Sequence, residues 1–185
     1  MKYLTASRGQ PSQRHVSVHL VELGPPARFI ASCHTRGDLR WFRVESILHA
    51  RLDEAEAFRP ATEEAVAEFR GKSLDGYYQA GPVIECSFLV REPESRWVVN
   101  NLIDGMTVET VPDGVRIQVK TTAVGRLGRF VVGLGAAARP ETKELAEAVA
   151  ELARGALSQV ETDTPAPLPG LHARRRASQR SRDQV

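Results

Sequence analysis

In the first sixty residues, short β-prone stretches are cut apart by turn signals, a spacing that suits a small barrel or sandwich and needs no helix. The expected strands are Lys2 to Ala6, His15 to Glu22, Arg28 to His34, Arg40 to Ser46 and Leu48 to Leu52. Turns are expected at Ser7 to Ser12, Gly24 to Pro26 and Arg36 to Asp38. Gly24 and Gly37 tolerate positive φ, and Pro25 fixes φ and cannot donate to a ladder. Arg36, Gly37 and Asp38 also spell an adhesion tripeptide, which a hairpin turn explains without adhesion.

The remainder changes character. Thr62 to Arg70 has an N-cap candidate in Thr62, acids in its first turn, and Ala65, Val66 and Phe69 at helical spacing. Ser73 to Pro82 carries Gly76, Gly81 and Pro82 and reads as a connection. An alternating strand from Val83 to Val90 follows, then a helix near Glu94 to Ile103 and a hairpin. That hairpin joins Thr107 to Val111 with Val115 to Thr121 through Pro112, Asp113 and Gly114. Val124, Leu127, Val131 and Leu134 share one helical face, and Leu145, Val149, Leu152 and Leu157 share another, so both helices are expected to cover a sheet. The class is α+β. The segments are a barrel over 1–60, a helical linker over 61–82, an α+β unit over 83–158 and a tail over 159–185 whose proline-rich and arginine-rich composition predicts disorder.

A net charge of +2 conceals three regions. Residues 1–51 carry eight Lys or Arg against three acids and hold four of the five histidines. Residues 52–170 carry twelve basic against nineteen acidic side chains, so a polyanion is repelled there on average. Residues 171–185 add five arginines and one aspartate. No apolar run approaches the roughly 18 to 20 residues that a bilayer span requires, and Met1 to Gln10 lacks the features of a secretory signal. No membrane association and a cytoplasmic location are expected. Cys33 and Cys86, both in apolar runs, read as buried thiols and make neither a disulfide framework nor a zinc site.

The run from His34 to Ile47, with Arg40, Phe42, Arg43, Val44 and Glu45 after a charged hairpin, resembles the signature of the WYL domain family. Arg14, Val16, Val18, His19 and Leu20 resemble the family's preceding strand. Phe88 to Asn101, with Glu92, Pro93, Arg96 and Trp97, followed by Asp113 to Val119, Leu127 to Gly135, Pro140 and Leu145, is similar to the extension that follows WYL domains. The resemblance implies a small Sm/SH3-like β-barrel joined to a ferredoxin-like α+β domain, in homodimeric regulators that respond to single-stranded nucleic acid or a nucleotide. Two departures stand out. The tripeptide that names the family falls at Ala27, Arg28 and Phe29, and the first strand begins near Met1, where the family usually places a helix-turn-helix domain. A separate DNA-binding or effector partner is therefore expected.

Alternation divides Arg28 to His34 into a face with Arg28, Ser32 and His34 and a core face with Phe29, Ala31 and Cys33. His15, Ser17 and His19 likewise oppose Val16, Val18 and Leu20, and the two polar faces are expected to form one basic surface edged by Arg14. Guanidinium forks grip phosphate oxygens and stack on bases, and imidazoles add donors and flat rings. The candidate ligand set is Arg14, His19, Arg28, His34, Arg36, Arg40, Arg43 and Arg96. An alternative pairing of Arg43 with Glu45 or Glu22 leaves Arg40 as a cap on the barrel. Arg96 is a candidate because the resemblance places this extension across a partner subunit's barrel. Trp97, Val98, Leu102 and Ile103 follow helical spacing and read as core or dimer interface. The arginine-rich tail is either solvated or a nonspecific nucleic-acid contact.

No nucleophile, base and orienting acid occur in a recognisable arrangement, no metal-ligand cluster appears, and Val132 to Gly135 does not follow the strand that a dinucleotide fingerprint requires. The chain reads as non-enzymatic, with no cofactor. The competing reading is a protein-interaction or dimerisation module without a ligand.

Overall fold

The computed structural model describes residues 1–5 and 9–162. Three antiparallel sheets and four helices make up the described chain. The first sheet orders β2 (Pro11–Gln13), β1 (Lys2–Leu4) and β6 (Ile47–His49), and the second orders β3 (Val16–Glu22), β4 (Arg28–Cys33) and β5 (Asp38–Arg43). One face of the second sheet presents Phe29, Ala31, Cys33 and Phe42 to Met1, Tyr3 and Ile47. Tyr3 meets Phe42 edge to face at 5.2 Å between centroids, and Phe29 stacks on Phe42 at 5.3 Å. This is a two-layer unit, and the described strands do not close into one continuous barrel. Pro11–Gln13 pairs with β1 where a turn was expected, because the ladder to Lys2, Tyr3 and Leu4 supplies the order that its own sequence lacks. Beyond β5, a 3₁₀ turn over Val44–Ser46 ends the strand earlier than the sequence predicts.

Helix α1 (Glu63–Lys72) starts where the sequence places it, with Thr62 Oγ1 accepting from the Ala65 amide at 3.2 Å. Val66 and Phe69 lie on its buried face and pack against Ile30, Leu20, Leu39 and Trp41, on the opposite side of the second sheet. At its end, the Lys72 carbonyl accepts from the Thr122 amide at 3.0 Å and from the hydroxyls of Thr121 and Thr122 at 3.1 and 3.2 Å. A carbonyl with no intrahelical partner is thereby satisfied by the second unit, tying the two together.

The second unit runs β7 (Ile84–Arg91), α2 (Glu94–Asn100), β8 (Thr107–Val111), β9 (Gly114–Thr121), α3 (Val124–Gly133), β10 (Ala138–Pro140) and α4 (Lys143–Thr162). Its sheet orders β10-β7-β9-β8 with every pair antiparallel. The expected hairpin is present, and Gly114 is needed at its end: its φ is +148, and a Cβ there would lie 2.1 Å from the Val90 carbonyl oxygen. Cys86, Phe88, Val90, Val115, Ile117 and Val119 alternate inward against Leu127, Val131 and Leu145, so α3 and the first half of α4 cover one face of the sheet, whereas Leu157, expected on the same face, is 57% exposed because α4 runs on past the edge of that core. Leu74 of the connection, fully buried, joins this core. Helix α2 stops at Asn100, short of Ile103, and α4 continues past residue 158 to Thr162. The arginine-rich end and the disorder expected there lie outside the described residues. No described helix is long and apolar enough to cross a membrane.

Candidate functional site

The polar face expected on β3 and β4 is not an open basic surface. A bulge between Val18 and Leu20 interrupts the alternation, turning Leu20 toward the same side as Ile30 and leaving Val18 exposed. With Leu20, Ile30, Leu39 and Trp41 on it, this face is apolar enough to bury α1, and complete burial of Ile30 alone contributes about 1.5–3 kcal/mol. The segment ahead of α1 covers the rest. The Arg59 amide donates to Ser17 Oγ at 2.9 Å, and Phe58 meets His19 edge to face at 5.4 Å. His19 bonds Ser32 Oγ at 2.7 Å, and burial pushes its imidazole below the usual range. His34 bonds Ser17 Oγ at 2.9 Å while its Nδ1 is buried without a hydrogen-bond partner, 3.6 Å from Glu56.

Four of the candidate arginines are already matched to carboxylates. Arg40 forks onto Asp38 at 2.7 and 2.9 Å, Arg43 lies 3.8 Å from Glu45, and Arg96, mostly exposed, reaches Glu92 at 2.9 Å. Arg28 donates to Glu22 and to Asp75, both at 2.9 Å. Arg36 is exposed on its turn, and Arg14 donates to Ser12 Oγ at 3.1 Å.

Three cations that lack such partners gather elsewhere. Among the described residues, no carboxylate lies within 4 Å of Lys2, Arg14 or Arg51, and all three line one cleft of about 890 Å³ at the rim of the first unit. His15, His34 and His49 line it too, with Asp53, Glu56 and Phe58, whose ring is 62% exposed. Of the predicted residues this cleft unites Arg14 and His34. Lys2, Arg51 and Phe58 were missed. The positions of Lys2 and Arg51 follow from the pairing of β1 with β6, which brings the start of the chain beside residue 49, and Phe58 is held at the rim against His19.

A second cleft, of about 1240 Å³, lies between the units and is lined by His19, Arg28, Arg70, Arg126, Trp41 and Trp97 among others. Along it runs a ladder of alternating charge. Asp104 accepts from Arg70 at 2.9 Å, Arg70 donates to Glu22 at 2.8 Å, Glu22 accepts from Arg28, and Asp75 accepts from Arg28 and from Arg126 at 2.5 Å. Asp75 and Gly76, both at positive φ, form the tight turn between Leu74 and Tyr77 that projects the carboxylate. Burial alone would raise the Asp75 carboxyl, but hydrogen bonds from Arg126 and Arg28 outweigh it and hold the group below the usual carboxylate range. Arg126 and Arg43 also flank the Tyr77 ring at 5.0 and 5.7 Å. The dipeptide Asp75-Gly76 was the available sequence signal for this turn, while Arg126 carried none.

Among the described residues, no group of three or more His, Cys, Asp or Glu is arranged to hold a metal ion. No protein-family model matches the chain, and no curated protein matches it. Among solved structures, the chain is similar to proteasome accessory factor B/C (PafBC) of Arthrobacter aurescens at 20% identity and a TM-score of 0.36, over 92% of this chain. The chain spans 26% of that protein's length.

Proposed function

We propose that the chain is a non-catalytic regulatory protein of the WYL type, which senses single-stranded nucleic acid or a nucleotide in its rim cleft and acts through a partner in transcription or defence. The observation that carries this reading is the convergence of Lys2, Arg14 and Arg51, none matched to a carboxylate, on one cleft with an exposed Phe58. Its volume of about 890 Å³ suits a nucleotide or a short stretch of strand. Cations hold phosphates without sequence preference, and an aromatic ring stacks on a base. Parts of the fold support the reading. The β-α-β-β-α-β order with strands arranged fourth, first, third, second supports a ferredoxin-like second unit, and the two small sheets around Phe29 and Phe42 support a barrel-derived first unit. The reading places the protein in the cytoplasm as a homodimer.

A second reading, an interaction module without a ligand, is favoured by Trp97. Its side chain is 54% exposed, stacked on Phe130 at 6.3 Å, with Val99 and Leu102 also exposed nearby on and after α2. A salt titration with labelled single-stranded DNA, single-stranded RNA and ATP separates the two. Under the sensor reading, affinity falls as salt rises, and exchange of Lys2, Arg14 and Arg51 together to alanine removes it, whereas deletion of residues 163–185 leaves it in place. Salt-independent binding, or none, selects the interaction module.

A further inference from the structure

The cleft between the units contains an anion position that the chain fills with its own carboxylate. Asp75 gives one oxygen to Arg28 Nη1 at 2.9 Å and the other to Arg126 Nη2 at 2.5 Å. That arrangement leaves one donor over, because Arg126 Nε is buried and has no hydrogen-bond partner. An orphaned guanidinium N–H is costly, and it sits on the same planar fork as a donor already in use. With one oxygen turned to Arg28 and the other to Arg126 Nη2, Asp75 leaves Nε unserved in this arrangement. A phosphoryl group, with three terminal oxygens, can accept from Nη2 and Nε of one guanidinium and from Nη1 of the other. Arg28, Asp75, Gly76 and Arg126 all line the cleft, so a phosphoryl group that displaces Asp75 reaches the covered Nε from that side, and Trp41 and Trp97 offer apolar walls for an organic remainder.

We infer that Arg28 and Arg126 form a binding site for the phosphoryl group of a small phosphorylated metabolite, and that Asp75 is its built-in competitor. The site lies in a different cleft from the proposed nucleic-acid site and does not depend on it. Its occupation has a mechanical consequence. Asp75 is the middle member of the bridge from β4 of the first unit to α3 of the second, so a ligand held by both arginines replaces that bridge with its own and frees the Asp75 turn, while the Lys72 carbonyl contacts remain.

The chain's two tryptophans, Trp41 and Trp97, both line this cleft, so intrinsic fluorescence reports on it. The full chain is titrated with inorganic phosphate and with pyrophosphate at constant ionic strength, balanced with chloride, while the arginine Nε–H resonances are followed by NMR. A saturable shift of the Arg126 Nε–H signal with a matching fluorescence change is expected. Asp75→Asn removes the competing charge and keeps a residue that accepts left-handed backbone, so phosphate affinity rises by about tenfold. Arg126→Gln leaves Asp75 paired with Arg28 and loses the response. The joint alanine exchange of Lys2, Arg14 and Arg51 leaves the phosphate response intact, which separates this inference from the rim-cleft reading. An Arg126 signal that responds equally to chloride overturns the proposal, as does an Asp75→Asn affinity no higher than that of the unaltered chain. Should Asp75→Asn fail to fold, an unaltered response in Arg126→Gln overturns it alone.

Discussion

Arg28 lies across Gly76 so closely that a Cβ at Gly76 would stand 2.7 Å from its Nη1 and 2.9 Å from its Cδ. The arginine cannot easily withdraw, because Glu22 and Asp75 hold its Nε and Nη1 and its guanidinium lies 5.5 Å over the Trp41 ring. Gly76 also has φ +70, which disfavours any side chain. Gly76→Ala is therefore expected to cost about 1–3 kcal/mol, read as a lowered midpoint of urea unfolding.

Acid should weaken the joint through Asp75. Its carboxyl sits lower in the folded chain than in the unfolded one, so the stability it adds is fully present above the unfolded value and is lost as pH falls through the folded value. Urea midpoints measured from neutral pH downward should decline below about pH 4, and the decline should be shallower in Asp75→Asn, which has no such group to protonate. Asp38, lowered mainly by its hydrogen bond from Arg40, adds a decline in the same direction that the variant retains.

Phe69 fastens α1 to the second sheet, 92% buried and 4.7 Å from Tyr78 between ring centroids. Phe69→Ala should cost about 3–5 kcal/mol and increase hydrogen exchange across α1 and β4.

Phe58 is different, since its ring is mostly exposed at the rim cleft. Phe58→Ala should change stability by no more than about 0.5 kcal/mol, yet weaken single-strand binding by about 1–3 kcal/mol. Equal oligonucleotide affinities for the two proteins would refute stacking at this ring.

Neither thiol should react in the folded state. Cys86 is fully buried, and burial, with Glu144 nearby, pushes its thiol up to about 11, while Cys33 is 1% exposed. Labelling with an aromatic disulfide should proceed at the rate at which the chain opens and accelerate in denaturant.

Local periodicity carried much of this fold. The Thr62 cap, the hairpin closing at Gly114, the apolar face of α3 and the first half of that of α4 each depend on residues within a few positions of one another, and each formed where the sequence predicts. Two strands of three residues, Pro11–Gln13 and Ala138–Pro140, were not legible, because edge pairing with β1 and β7 makes them strands. The bulge before Leu20 was equally hidden, and a single inserted residue reversed which side chains of β3 face α1.

By itself, the sequence determined the α+β class, the order of the principal elements and the excess of positive charge in the first fifty-one residues, since propensity, capping and composition act locally. Tertiary structure decided the long-range share of which charges stay available. Arg28 meets Asp75 across 47 positions and Arg126 meets the same carboxylate across 51, distances in sequence that no periodic pattern encodes. Packing brought Asp75 to Arg28 and left Lys2, Arg14 and Arg51 without carboxylates, whereas Arg40, Arg43 and Arg96 meet Asp38, Glu45 and Glu92 within four positions along the chain, a proximity the sequence already contains.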